Sequence, residues 1–127
     1  MIDGIFSGEN YNLAKKLLDI SSQRHQVLAS NMANIETPGY RRVDLSDEFN
    51  KELISSIQRG DLKAVKILTP VIEEDLSAVA LRGDGNNVAL DKELLAINRN
   101  ALEHQFLTQY ISGSLKQLKT AITGRSI

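Results

Sequence analysis

Two long stretches of the chain repeat apolar residues at alternating steps of four and three. In the first, residues 9 to about 34, the positions are Leu13, Leu17, Ile20, Val27/Leu28 and Asn31, with Arg24 filling the slot between. Lys15, Lys16, Asp19, Ser22, Gln23 and Gln26 fall on the other side. That spacing is the narrow seam of a coiled coil rather than the wide apolar face of a globular helix. Thr37-Pro38-Gly39 closes the helix, since proline biases its predecessor to extended backbone and glycine follows at once. The last third carries the same pattern at Leu90, Leu94, Ile97, Ala101, His104, Thr108, Ile111, Leu115, Leu118 and Ile122. Asp91 lies where a helix start favours negative charge, Gly124 stops the helix, and Gly113 is its one internal breaker.

The stretch between is less regular. Asp47 to about Arg59 reads as a shorter helix with Phe49, Leu53, Ile54 and Ile57 on one face. Val65-Lys66-Ile67-Leu68 and Val71-Ile72 flank Pro70 and are expected as short strands or extended chain. Arg82 to Asn87 is dense in turn residues, and Val88-Ala89-Leu90 leads into the last helix. The expected fold is mainly α: long N- and C-terminal helices forming a coiled-coil pair around a short irregular, β-containing middle segment. Three segments follow: 1–44 with the first helix and its closing turn, 45–90, and 91–127 with the last helix.

Length sharpens this. At about 1.5 Å per residue the two helices measure roughly 39 and 50 Å. A compact domain of 127 residues is only about 30–35 Å across. Helices this long can pair with each other but cannot bury all their apolar surface inside one small globule, so the pattern points to assembly with copies or partners.

Composition removes other possibilities. Fifteen basic and 16 acidic side chains leave a net charge of −1, which argues against a nucleic-acid protein held by a basic surface. The acidic excess sits in the middle segment. With no cysteine there are no disulfides, thiolate metal sites or thiol nucleophile. No apolar run is long enough to span a membrane, and the start Met1-Ile2-Asp3-Gly4-Ile5-Phe6 lacks the features of a cleavable signal peptide. No catalytic, cofactor-binding or metal-binding residue is nominated. His25 and His104 fall on different helices at or beside the seams, where a polar register residue is the alternative to a ligand or base. Asp84-Gly85-Asn86 fails as a calcium loop, because its later ligand slots fall on Val88 and Leu95. Arg82-Gly83-Asp84 spells an adhesion tripeptide in a turn where chance explains it.

One segment is unusual enough to carry specificity: Leu28-Ala29-Ser30-Asn31-Met32-Ala33-Asn34-Ile35-Glu36-Thr37-Pro38-Gly39-Tyr40. Asn31 and Asn34 share a helix face, Asn34 can end the helix in left-handed conformation, and Tyr40 offers a rigid ring with a polar tip. The plain alternative is a helix cap followed by a tight turn.

The run from Ala29 to Tyr40, preceded by Arg24-x-x-Val27-Leu28, closely resembles the N-terminal signature of bacterial flagellar rod and hook proteins. The junction Asp84-Gly85-Asn86-Asn87-Val88-x-Leu90-Asp91-x-Glu93 and the tail Leu115-x-x-Leu118-Lys119-x-Ala121-Ile122-x-Gly124 resemble proximal rod members of that family. The middle, about 45–80, resembles nothing identifiable. The resemblance implies a non-enzymatic structural subunit that self-associates in a helical tube. Its implied partners are other rod subunits, the small protein FliE and the membrane ring with its export gate. It also implies a place in the periplasmic rod of the basal body, reached through the flagellar type III apparatus without a cleaved signal peptide. Another axial protein of the family, or a helical export chaperone or adaptor, is the alternative. The expected assembly residues are Leu13, Leu17, Ile20, Asn31, Asn34, Thr37, Pro38, Gly39, Tyr40, Leu94, Ile97, Ile111, Leu115 and Leu118.

Overall fold

A computed structural model describes residues 8–124, with the side chains of Leu118, Ala121, Ile122 and Thr123 outside the description. The expectations placed on Met1–Phe6 and on the side chains of Leu118 and Ile122 therefore lie outside the described residues. Helix α1 runs Gly8–Ala33, strand β1 Val43–Leu45, helix α2 Asp47–Gln58, helix α3 Leu62–Ile67, strand β2 Ile72–Glu74 and helix α4 Leu90–Thr123. The two long helices pack against each other, and the middle segment folds over one side of α1. Mainly α, with paired terminal helices and a small β-containing middle, is the observed architecture.

Each middle element has a local cause. Ser46 caps α2, its hydroxyl accepting from the Phe49 amide at 3.0 Å. Asp61 caps α3 by accepting from the Ala64 amide at 3.1 Å. The segment 65–68, expected as extended, is thus mostly helical. Its β-branched residues favour a strand by propensity, but the Asp61 cap starts a helical turn and Val65 reaches the core, 2 % exposed. Strands β1 and β2 pair antiparallel with Val43 opposite Glu74 and Leu45 opposite Ile72, so the extended reading of 71–72 holds while β1 was unforeseen.

The core is small: Ile20, Leu45, Phe49, Leu53 and Val65, with Leu13, Leu17, Ile57 and Leu68 packed around it. Fully burying each such side chain stabilises by about 1.5–3 kcal/mol. Leu13, Leu17 and Ile20 were expected on a seam facing another helix for assembly. They face the subunit's own middle segment instead, because α2 and α3 supply Phe49, Leu53 and Val65 to the N-terminal half of that stripe.

The α1–α4 contact departs further from the expected seam. Among the described side chains of α4 the buried ones are Glu93, fully enclosed, and Asn100, 3 % exposed. Leu94 and Leu115 stand about half exposed, Ala101, His104 and Thr108 are exposed, and Ile97 and Ile111 border the contact half-buried. Relative to the apolar stripe, the buried face is turned by one residue, about 100° of helix. The reason is chemical: α1 offers polar partners there. Asn100 Nδ2 donates to the Ser21 carbonyl at 2.9 Å, and Ser21 Oγ donates to Asn100 Oδ1 at 3.3 Å. Arg24 ties α1 to both neighbours, donating to Asn50 Oδ1 at 3.1 Å and lying 3.6 Å from Glu103.

Candidate assembly site

The signature turn leaves α1 at Ala33 and reverses the chain within seven residues. No described non-glycine residue has positive φ, so Asn34 does not take the left-handed conformation expected of it. It closes the helix with its side chain: Asn34 Nδ2 donates to the Ser30 carbonyl at 2.8 Å, and Oδ1 accepts from Thr37 Oγ1 at 3.1 Å. The left-handed position falls instead on Gly39, at φ +73°, where any side chain would be strained. Its amide donates to the Asp84 carbonyl at 2.9 Å.

Asn31 fixes where the returning chain lies. It is fully buried; its Nδ2 donates to the Val43 carbonyl at 2.7 Å, while Oδ1 accepts from the Val43 amide at 3.0 Å and from the Tyr40 hydroxyl at 3.2 Å. One amide side chain therefore ties α1 to the start of β1 as a strand partner would. Tyr40 uses its polar tip in that bond.

The back of the turn is stapled to the junction 82–88. Asn86, 1 % exposed, donates from Nδ2 to the carbonyls of Asn34, Ile35 and Thr37 at 2.9, 3.1 and 2.8 Å. Its Oδ1 accepts from the Val88 amide at 2.8 Å. Asn87 Oδ1 accepts from the Arg42 amide at 2.6 Å. Arg82 donates to the Ile35 carbonyl, which gives the Arg-Gly-Asp tripeptide a structural task. Gly85, at φ +81°, is a second left-handed position, and the junction lies in ordinary van der Waals contact with Gly39 there.

Below the turn, Arg42 collects three carboxylates. Its guanidinium pairs with Asp44 and Asp75 at 2.8 Å each and with the enclosed Glu93. Burial works against the charged guanidinium, but hydrogen bonds and charge from Glu93 and Asp44 prevail and raise its pKa. At Asp75, burial would raise the carboxyl pKa, yet hydrogen bonds from Ser77 and the pairing with Arg42 hold it below the usual carboxylate range. The second oxygen of Glu93 has no hydrogen-bond partner, so its enclosure rests on Arg42 alone.

This arrangement fixes a shape and presents it outward; the described residues hold no group of three or more His, Asp or Glu side chains placed for a metal. Thr37, Pro38 and Gly39 are exposed at the tip. Beside them lies an open cavity of about 500 Å³, lined by Ile35, Val79, Leu81, Val88, Leu90 and Leu94 among others. Val79 and Leu81 are exposed at 70 % and 86 %, unusual for apolar side chains in one short segment. Asn31, Asn34, Thr37, Pro38, Gly39 and Tyr40 thus form one unit, and Leu94 joins its border; Ile97, Ile111 and Leu115 lie further along α4. His25 and His104 are exposed and line a shallow cavity with Ser22, Gln26, Asn100 and Ala101. Reasoning on sequence missed Arg42 and the separate duties of Asn86 and Asn87, although two adjacent asparagines before an apolar run were the visible signal.

No protein-family model matches the chain. Among characterised proteins it is 36% identical to the flagellar basal body rod protein FlgB of Aquifex aeolicus (strain VF5), over 91% of this chain and 94% of that one. It is 32% identical to FlgB of Bacillus subtilis (strain 168), covering 94% and 97%. It is also 32% identical to FlgB of Escherichia coli (strain K12), covering 85% and 88%. With identity of 32–36% over 85–94% of its length, the chain belongs to the FlgB family of flagellar basal body rod proteins.

Proposed function

We propose that the chain is a structural subunit of the proximal rod, joining the membrane ring and export gate, with FliE, to the next rod subunits. The observation that carries this reading is the combination of a rigidly stapled signature turn with apolar surface left outside the fold. An enzyme site needs converging reactive groups, whereas here Asn31, Asn86 and Arg42 are consumed in holding backbone. The residues that meet neighbours are the exposed tip Thr37, Pro38 and Gly39, set from within by Asn31, Asn34 and Tyr40, together with Leu94, Ile97, Ile111, Leu115 and Leu118 on α4. Contacts between unlike faces of successive copies build an open helical tube. The three segments 1–44, 45–90 and 91–127 divide the work: two assembly helices, and an insert that braces the first.

The subunit travels to the periplasm through the flagellar type III apparatus. Among the described residues no helix is long and apolar enough to cross a membrane. The test is direct. Deleting the gene from its own bacterium should abolish swimming, and a tagged copy should restore it and appear in purified basal bodies in a few stoichiometric copies. A discrete soluble dimer, absent from basal bodies, would support the chaperone reading instead.

A further inference from the structure

Strand β2 is paired on one side only. The Ser46 amide donates to the Val71 carbonyl at 2.7 Å, and the Asp75 amide donates to the Arg42 carbonyl at 2.8 Å. With Asp44 opposite Glu73, antiparallel alternation gives the ladder bonds to Val71, Glu73 and Asp75 and turns the amides and carbonyls of Ile72 and Glu74 outward. On β1 the same alternation turns Val43 toward α1, where Asn31 takes both of its backbone groups. Beyond β2 there is no such partner: the sheet has two strands, and among the described residues nothing bonds the outward groups of Ile72 and Glu74. All three β2 residues are exposed, and Val71 and Leu76 beside them stand 52 % and 88 % exposed.

An open, exposed edge is a template for one more strand. Charge narrows what that strand is. An open cavity of about 320 Å³ beside β2 is lined by Asp44, Asp47, Glu73, Glu74, Asp75 and Leu76 among others. Arg42 engages Asp44 and Asp75, whereas Asp47, Glu73 and Glu74 have no ion pair within the described chain. A second β2 is a poor occupant, since two-fold pairing centred on the strand sets Glu73 against Glu73, like charges opposed. Pro70, with no amide to donate, ends the edge on one side.

We propose that the outer edge of β2 accepts an extended segment of another protein, bearing lysine or arginine, as a third strand. Ile72 and Glu74 supply the backbone donors and acceptors, and the guest's cations meet Asp47, Glu73 and Glu74. So short an edge holds its guest weakly by itself, and charge makes the contact salt-sensitive. This goes beyond the rod reading and does not depend on it.

The chain is expressed in its own bacterium with a photoreactive amino acid in place of Leu76, the cells are illuminated, and the attachment site is mapped by mass spectrometry. The product should join the chain to a different protein, within a segment rich in lysine or arginine. Glu73→Lys with Glu74→Lys should cut the yield several-fold. So should Ile72→Pro, which removes one outward amide and leaves the ladder bonds of Glu73 in place. Both variants should melt as the parent does, and the charge-reversed pair alone decides the matter if Ile72→Pro melts early. A product with a second copy of this chain, attachment to a segment without basic residues, or an unchanged yield in the charge-reversed variant overturns the proposal. So does the absence of any product from cells that contain the chain; its presence in purified basal bodies would then leave the rod reading standing. A basic partner found outside the basal body supports the docking edge and counts against the rod reading instead.

Discussion

At the scale of single residues, the chain relies on a few buried polar side chains whose partners are mostly backbone. Asn31 is the clearest, since truncating it strands both the amide and the carbonyl of Val43. Each buried group left unpaired costs about 1–3 kcal/mol, so Asn31→Ala should destabilise by about 2–4 kcal/mol in urea unfolding. Arg42 makes a sharper case. With Glu93 enclosed and half-satisfied, Arg42→Met should cost about 3–5 kcal/mol, while Arg42→Met with Glu93→Met should recover most of that loss. A double variant as unstable as the single one would show that the pair's charges are not what matters. Acid works through Asp75. Its folded pKa lies below the unfolded value near 3.9, so its contribution is complete above that pH and fades as pH falls through the lower, folded value. The melting temperature should drop as pH falls below the unfolded carboxylate value, and Asp75→Asn should flatten that drop.

At the scale of elements, α4 is held by contact more than by content. Ser21 beside Asn100 sets the register, which brings the described start of α1 roughly level with Gly113. Beyond that point α4 has no described helix alongside it. Gly113 sits in open space, where an added methyl meets nothing within 4 Å. Gly113→Ala should therefore stabilise the helix by about 0.5–1 kcal/mol and raise the far-UV helical signal of the monomer. Sequence reading placed both long helices within a residue or so and found α2, because period and caps are local. It missed α3 and β1, each short enough for a single cap or one long-range pairing to outweigh propensity. The apolar stripe of α4 was expected both to pair with α1 and to meet neighbours; within the subunit Glu93 and Asn100, which have partners on the rest of the chain, take the buried face, and Leu94 and Leu115 stand about half exposed.

At the scale of the whole molecule, one apolar period serves two purposes that spacing cannot separate. The N-terminal half of the α1 stripe closes a small core around Ile20, whereas much of the α4 stripe faces out. Two identical substitutions should then diverge. Leu17→Asp puts a charge against the subunit's own core and should lower the melting temperature of the isolated protein. Leu115→Asp, about half exposed, should leave melting unchanged and abolish swimming. Equal melting in the two variants would contradict the division between core and assembly faces.

The signature turn follows the same division between local and distant information. Its residues were legible as a unit because Thr37-Pro38-Gly39 is local turn chemistry, and Gly39 alone can hold the left-handed position. The staple from Asn86, fifty residues away, was not. By itself the sequence determined the two long helices, the turn between helix and strand, and an excess of apolar surface over what one small domain can bury. Those depend on period, caps and chain length. Only the tertiary structure decided which apolar residues are core and which are left for neighbours, because burial depends on where polar partners stand once the chain has folded back on itself.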